Sequence, residues 1–168
     1  GEITKDSNYQ WIIDPLDGTN NYLHKYPHYA ISIAMYEKDK AKHCVIYDPF
    51  KEELFYASKG MGAYLNDTRI RVSNTREIQN ALIGTGFPVR NADFLTNYLE
   101  IFKKIHPQVT DIRRSGSAAL DLAYIAAGRL DGFWEIGLNK WDIAAGILLI
   151  KEAGGFISDF SGKNNLFA

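Results

Sequence analysis

"WDIAAGILLIKEAGG", residues 141–155, carries apolar side chains on nearly every side instead of along one stripe. A helical segment without a polar face is one that must be covered all round, so the pattern predicts a helix over 141–153, buried between layers. Gly154 and Gly155 stop it, as glycine commonly does just past a helix end. A helix buried in this way needs structure on both sides, and the rest of the sequence supplies it.

Upstream, residues 11–14 (Trp-Ile-Ile-Asp) read as a buried strand stopped by Pro15, and residues 29–36 as a second strand ending in the charged turn 37–40. Residues 43–47 and 53–57 form a predicted hairpin across Asp48-Pro49-Phe50-Lys51. Gly60 and Gly62 break the next stretch before a short strand at 69–72, so this half is expected to be an antiparallel meander. The period then changes. Residues 81–85 read as a strand, and Phe94, Leu95, Tyr98, Leu99, Ile101, Phe102 and Ile105 line one helical face. A further helix is predicted over 117–127, stopped by Gly128, and a short strand holds Phe133 and Trp134. The expected fold class is a mixed α/β layered sandwich, and without repeats or a dividing linker residues 1–168 are expected to form one domain.

Composition narrows the function classes. The chain has 168 residues, 46% of them hydrophobic, enough to bury a core. Nineteen basic and twenty acidic residues give a net charge of -1, which argues against a surface built for nucleic acid or anionic lipid. No run approaches the roughly 18 apolar residues of a membrane helix; the longest is 143–150. The single cysteine, Cys44, excludes an internal disulfide and fits a reducing cytosol; in a strand it is expected to be buried and inert. The chain starts Gly1-Glu2-Ile3, with no initiator Met and no signal-peptide pattern, so its true N-terminus is expected to lie further upstream.

The chemistry concentrates in "DPLDGTNNY", residues 14–22. Pro15 is expected to force the chain out of the strand, so that Asp14, the Leu16 carbonyl and Asp17 face one point, a set of hard oxygen donors suited to Mg²⁺ and not to zinc. Taken alone, an Asp-Pro-x-Asp-Gly stretch favours an ordinary acidic turn. A second acidic group changes the balance: Glu135 ends a predicted strand and Asp142 falls in the first turn of the buried helix. An aspartate there is also a dipole partner worth only about 0.3–1 kcal/mol. Between the two groups, "RRSGSAALD" (113–121) leads into a helix whose free N–H groups could bind an anion or a substrate hydroxyl, with Ser115 or Ser117 as a plain N-cap an equal alternative. His24 and His28 are separated by Pro27, which spoils a helical metal pair. Gly60 and Gly62 lack the Lys-Ser/Thr of a phosphate loop and read as a hairpin turn. Arg113, Arg114 and Lys140 read as a solvated face or subunit contact more than as a basic edge to the site.

"WIIDPLDGTNNY" and "WDIAAGILLIKEAGG" together resemble the two signature stretches of the inositol monophosphatase family, Mg²⁺-dependent and lithium-sensitive phosphomonoesterases. "YPHYAISIA", "KGMGAYLN", "RRSGSAALDLAYIAAGRLDGFWEIG" and "GGFISDFSG" follow the family pattern in order, closest to its bacterial inositol-1-monophosphatase branch. The resemblance implies an αβαβα sandwich truncated at both ends. It also implies that Asp14, the Leu16 carbonyl, Asp17 and Asp142 hold two or three Mg²⁺ ions, with Li⁺ inhibiting. Gly18 and Thr19 would meet the phosphate through backbone N–H groups, and Thr19 and Asp14 would act in catalysis, the Thr19 hydroxyl orienting the attacking water. Gly116, Ser117, Ala118, Glu135 and Asp142 would bind the substrate. Asn20-Asn21 departs mildly from the family's usual Thr-Asn.

Two Mg²⁺ ions about 3.5–4 Å apart can neutralise phosphate oxygens, activate water and steady the leaving alkoxide, and clustered carboxylates are expected to raise one another's pKa until metal arrives. The implied substrate is inositol 1-phosphate or a related polyol monophosphate. Sister activities on fructose 1,6-bisphosphate, nucleotide 3',5'-bisphosphates or histidinol phosphate are the alternatives within the superfamily. A homodimer and a cytoplasmic location follow from the resemblance alone, as does a non-catalytic partnership with the transcription machinery; direct nucleic-acid binding and membrane association are not expected. The family's further metal-binding glutamate lies in an acidic pair upstream of Asp14, and Glu2 sits on the wrong segment to serve. A strand and a helix are expected beyond residue 168, so these residues are read as a fragment that would be weakly active or inactive alone.

Overall fold

A computed structural model describes residues 8–88, 93–163 and 166. Six strands come first: β1 (Tyr9–Asp17), β2 (Ala30–Glu37), β3 (Lys40–Asp48), β4 (Glu53–Ser58), β5 (Gly62–Leu65) and β6 (Thr68–Ile70), with a short helix α1 (Thr19–Leu23) after β1. Then follow β7 (Leu82–Thr85), α2 (Asp93–Ile105), β8 (Asp111–Arg113), α3 (Ala118–Ala126), β9 (Gly132–Trp134) and α4 (Lys140–Glu152). The first six pair in sequence order as an antiparallel meander, and β8-β7-β9 form a small parallel sheet.

Strand alternation sends Ile12, Ala30, Ala34, Tyr36, Cys44, Ile46, Phe55 and Ala57 to the same core as the buried faces of α3 and α4. Residues 144–150 of α4 are all buried, as the uniform apolar pattern predicts, and the helix touches β1 to β5 on one side and α3 on another. The Tyr36 hydroxyl donates to the Ala144 carbonyl at 3.1 Å and pins the helix against β2. Through its contacts with β7 and β9, α3 carries the helical layer over to the second sheet. Cys44 is buried in this core, and burial pushes its thiol up to about 12, which leaves it an apolar packing group.

Several boundaries differ from the sequence reading. Pro15 does not end β1, which runs on to Asp17. Because β1 is an edge strand among the described residues, a residue without an N–H costs no ladder bond on its open side. The register passes from Asp14↔Ser32 to Asp17↔Ala30, so β1 holds one extra residue there. β5, β8 and α1 were not anticipated as elements; each is three to five residues long, too short to show a period. The Gly60–Gly62 turn is a hairpin connection, and its two glycine N–H groups donate to the Glu152 carboxylate at 2.8 Å each, tying the β4–β5 hairpin to the C-terminal end of α4.

The two helices approach closely at Gly146, where a Cβ would lie 2.5 Å from Leu122 Cδ1 and 2.6 Å from its Cβ. Replacing Gly146 with Val is expected to lower unfolding free energy by about 1–3 kcal/mol through overpacking. A urea titration in which G146V keeps the parent midpoint would contradict this packing.

Candidate metal centre

The bulge in β1 decides where the first two carboxylates point. In a regular strand, residues three apart face opposite sides; one inserted residue brings Asp14 and Asp17 to the same side. The chain then turns through Gly18, whose φ of 81° lies in the left-handed region and whose Cβ would stand 3.0 Å from the His28 carbonyl oxygen, so glycine is required twice over. Thr19 opens α1 and its hydroxyl donates to the Leu16 carbonyl at 2.9 Å. The Asn21 amide donates to the carbonyls of His28 (2.7 Å) and Ser115 (2.9 Å), fastening this turn to the loop before α3.

Asp142 arrives from the other end of the sequence, at the third position of α4. One carboxylate oxygen from each of Asp14, Asp17 and Asp142 lies within 4.8 Å of the other two. Among the described residues each group is oriented through one oxygen. Asp14 Oδ1 accepts from the Leu16 N–H at 3.1 Å. Asp17 Oδ2 accepts from Ser117 Oγ at 2.6 Å and the Ala119 N–H at 2.8 Å. Asp142 Oδ2 accepts from the Asn139 N–H at 2.7 Å and from its amide at 3.2 Å. Among the described residues the second oxygen of each carries no hydrogen bond, which is the arrangement of a ligand set held by its outer partners. Three hard oxygen ligands without histidine or cysteine suit a divalent metal of the Mg²⁺ type.

These groups open onto a cavity of about 640 Å³, also lined by Gly18, Thr19, Gly116, Ser117, Ala118 and Glu135. Ser117 is the N-cap of α3, accepting from the Leu120 N–H at 3.3 Å, and its own hydroxyl is turned to Asp17. The α3 N-terminus is therefore occupied by a carboxylate from this chain: Asp17 takes the Ala119 N–H that the sequence reading left open for an anion or a substrate hydroxyl. Of the three basic residues, Arg113 pairs with Asp111, Lys140 donates to Gln10 and lies over the Tyr36 ring, and Arg114 alone lines the cavity.

Burial dominates the electrostatics. It pushes Asp17 up to about 6 against the hydrogen bonds from Ser117 and Ala119, with Asp14 and Asp142 adding repulsion. Glu135 rises to about 7 from burial and then from Asp121, while Arg114 pulls the other way. Asp14 is also raised, by burial first, with the Leu16 N–H opposing and Asp142 adding to the rise. Mutual repulsion, the cause expected from sequence, is thus the smaller contribution. Asp121 was missed altogether: it is buried, receives a 2.5 Å hydrogen bond from Ser115 Oγ, and rises to about 7 through burial and the nearby Asp17. Its signal was present in the sequence, since it follows Ser117 by four residues and so shares that helix face. Glu2 lies outside the described residues.

The family model for the inositol monophosphatase family matches residues 1–168. The chain belongs to the inositol monophosphatase family. Nus factor SuhB of Pseudomonas aeruginosa is 53% identical over 160 residues, covering 94% of this chain and 59% of that protein. An inositol-1-monophosphatase of Mesorhizobium japonicum is 48% identical over 162 residues, covering 96% and 61%. The crystal structure of extragenic suppressor protein suhB from Bartonella henselae superposes with a TM-score of 0.93 at 49% identity, covering 97% of this chain and 62% of that one. The chain thus spans about three fifths of the length of the curated relatives it matches. The layered α/β architecture is that of the inositol monophosphatase sandwich. Among the described residues no helix is long and apolar enough to cross a membrane.

Asp17, Asp121 and Glu135 hold their protons more tightly folded than unfolded, so the metal-free protein loses stability from these groups as pH rises from the ordinary carboxylate range through about 7. A bound cation favours their ionised forms and reverses that trend. Millimolar Mg²⁺ is therefore expected to raise the melting temperature more at about pH 7.5 than at about pH 5.5, by up to about 2.7 kcal/mol of stabilisation at one hundred times the dissociation constant. Equal shifts at both pH values, or none, would contradict this ligand set.

Proposed function

We propose that the full-length protein is a Mg²⁺-dependent phosphomonoesterase acting on inositol 1-phosphate or a related polyol monophosphate, with residues 1–168 as part of one inositol monophosphatase-like domain. The observation that carries this reading is the convergence of Asp14, Asp17 and Asp142, each with an oxygen that takes no hydrogen bond among the described residues, in the cavity that Gly18 and Thr19 also line. Asp14, Asp17, Asp142 and the Leu16 carbonyl would hold the metal, two or three ions in all, and Li⁺ would inhibit. When bound, Mg²⁺ supplies charge neutralisation for phosphate oxygens and a nucleophile competent at neutral pH.

The chain's own residues do the rest. Gly18 and Thr19 offer backbone N–H groups to the phosphate. The Thr19 hydroxyl, which donates to the Leu16 carbonyl, has lone pairs with which to orient an attacking water, and Asp14 lines the same cavity. Gly116, Ser117 and Ala118 form the wall on the alcohol side, and Glu135 and Asp142 supply carboxylate oxygens to its hydroxyls. A cavity of about 640 Å³ accommodates a polyol monophosphate. The name of the Mesorhizobium relative supports inositol 1-phosphate over fructose 1,6-bisphosphate or a nucleotide 3',5'-bisphosphate. A homodimer belongs to the same proposal.

The name of the Pseudomonas relative, Nus factor SuhB, supports a second reading in which the protein also serves a partner in the transcription machinery. One substitution separates the two. Asp142→Asn in the full-length protein is expected to lower kcat/KM on inositol 1-phosphate by more than about 100-fold, beyond the range of changes to groups that only orient ligands. Activity near the parent level would remove the phosphatase reading; a cellular phenotype that survives the loss of activity would favour the partner role.

A further inference from the structure

We infer that His28 is a positioning residue for phosphate binding: its imidazole, seated against Tyr124 of α3, fixes the Gly18–Asn21 turn relative to Asp17, which is bonded to the start of that same helix. The inference rests on the phosphomonoesterase reading above.

The turn is anchored on the backbone of His28. The Asn21 amide donates to the His28 carbonyl at 2.7 Å, and the same oxygen would stand 3.0 Å from a Cβ on Gly18. The loop between them is closed by the Tyr26 N–H on the Asn21 carbonyl and the His28 N–H on the Tyr26 carbonyl, both at 2.8 Å. Tyr22 meets Tyr29 edge-on at 5.2 Å. Thr19, Asn20 and Asn21 line the cavity, whereas His28 is not among the described residues that do so. Its effect on a ligand must therefore pass through the turn.

The side chain supplies the footing of that anchor. His28 is only 9% exposed, and its ring lies edge-on to that of Tyr124, with 5.9 Å between centroids. Tyr124 is held in turn: Arg129, paired through two nitrogens with Glu53, lies over its ring at 5.0 Å, and Phe55 packs against it at 6.2 Å. Lys51, paired with the buried Asp48 at 2.7 Å, stands 6.0 Å from the same ring centroid. Burial and then Lys51 push the His28 imidazole below its ordinary range against the pull of Asp48, which leaves it neutral at neutral pH. Its Nε2 is buried and has no hydrogen-bond partner among the described residues, so that nitrogen adds no polar anchor and the contact with Tyr124 is one of packing.

Ser117, the N-cap of α3, and Tyr124 are separated by about two turns, which brings them to one face of the helix. Asp17 rests on the first through Ser117 Oγ, and His28 rests on the second. The helix thus acts as a common gauge that sets a metal-facing carboxylate and the N–H groups of Gly18 and Thr19 at one separation. Losing the His28 contact loosens the turn but leaves Asp17 on Ser117 and Ala119. Contacts made to the phosphate alike in ground state and transition state act on KM, so the loss is expected there.

The test uses the full-length enzyme with Mg²⁺, comparing wild type with His28→Ala, His28→Phe, Tyr124→Leu and the double variant H28A/Y124L. In H28A the KM for inositol 1-phosphate and the inhibition constant of inorganic phosphate are each expected to rise at least about fivefold, with kcat and the Mg²⁺ concentration for half-maximal activity within about twofold of wild type. H28F is expected to restore most of both constants, since a phenyl ring can meet Tyr124 and brings no unpartnered nitrogen. Y124L is expected to raise the same two constants, and the double variant to exceed neither single by more than about twofold. An unchanged phosphate inhibition constant in H28A overturns the inference. So does a fall in kcat with KM unmoved, which a general loosening of the fold would give, and so does a double variant in which the two effects multiply. Where H28A is too unstable to assay, Y124L, which keeps His28, decides by the same two constants. Wild-type enzyme that hydrolyses no inositol 1-phosphate would remove the phosphatase reading and the inference with it, whereas active wild type beside an unaltered H28A overturns the inference alone.

Discussion

The Asp17 carboxylate leaves the edge strand of the six-stranded sheet and ends on the N-terminus of α3, accepting from Ser117 and Ala119 through a single oxygen. That contact joins segments about a hundred residues apart, and much of the site is arranged around it. It caps a helix whose first N–H groups would otherwise need partners. It fixes which oxygen of Asp17 remains free to face Asp14 and Asp142. It also draws the 115–117 loop to the β1 turn, where Asn21 closes the join by donating to the Ser115 carbonyl. The outermost strand of one layer and the helix of the next thereby become parts of one rigid cradle.

A buried carboxylate that orients itself through backbone and hydroxyl donors is partly compensated, since charge-assisted hydrogen bonds offset its loss of hydration. The compensation is incomplete here, as the upward pressure on Asp17, Asp121 and Glu135 shows. A fold that keeps three such acids in one cavity is less stable at neutral pH than an apolar equivalent would be. What it retains is a region of concentrated negative charge with fixed geometry, a candidate site for a divalent cation.

The layered class and most of the elements were legible in the sequence because their signals are local. The uniform apolar run of α4, the alternation along β2 to β4 and the amphipathic face of α2 each announce an element without reference to anything distant. Pro15 misled because the proline rule concerns a strand's pairing, and whether a strand lies at an edge is decided by the whole sheet. The site divides in the same way. Asp14, Asp17 and Asp142 could be named from two signatures, but the role of Ser117 as a donor to Asp17, the burial of Asp121 and the place of Arg114 on the cavity wall depend on how the layers meet. The dominance of burial over repulsion in raising these acids is likewise a property of packing that a list of charges does not contain.

One helix links core and chemistry. The side chains of α4 from residue 144 to 150 are buried, and Asp142 stands only two positions before the first of them. A shift of the helix by one residue against the sheet would rotate Asp142 by about 100° and carry it away from Asp14 and Asp17. Three features oppose such a shift: the Tyr36 hydroxyl on the Ala144 carbonyl near one end, the close approach of Gly146 to Leu122 at the middle, and the Glu152 carboxylate on the Gly60 and Gly62 N–H groups at the other end. The helix that decides the fold is apolar over most of its surface because it must be held on several sides, and being held so is what gives Asp142 a fixed direction.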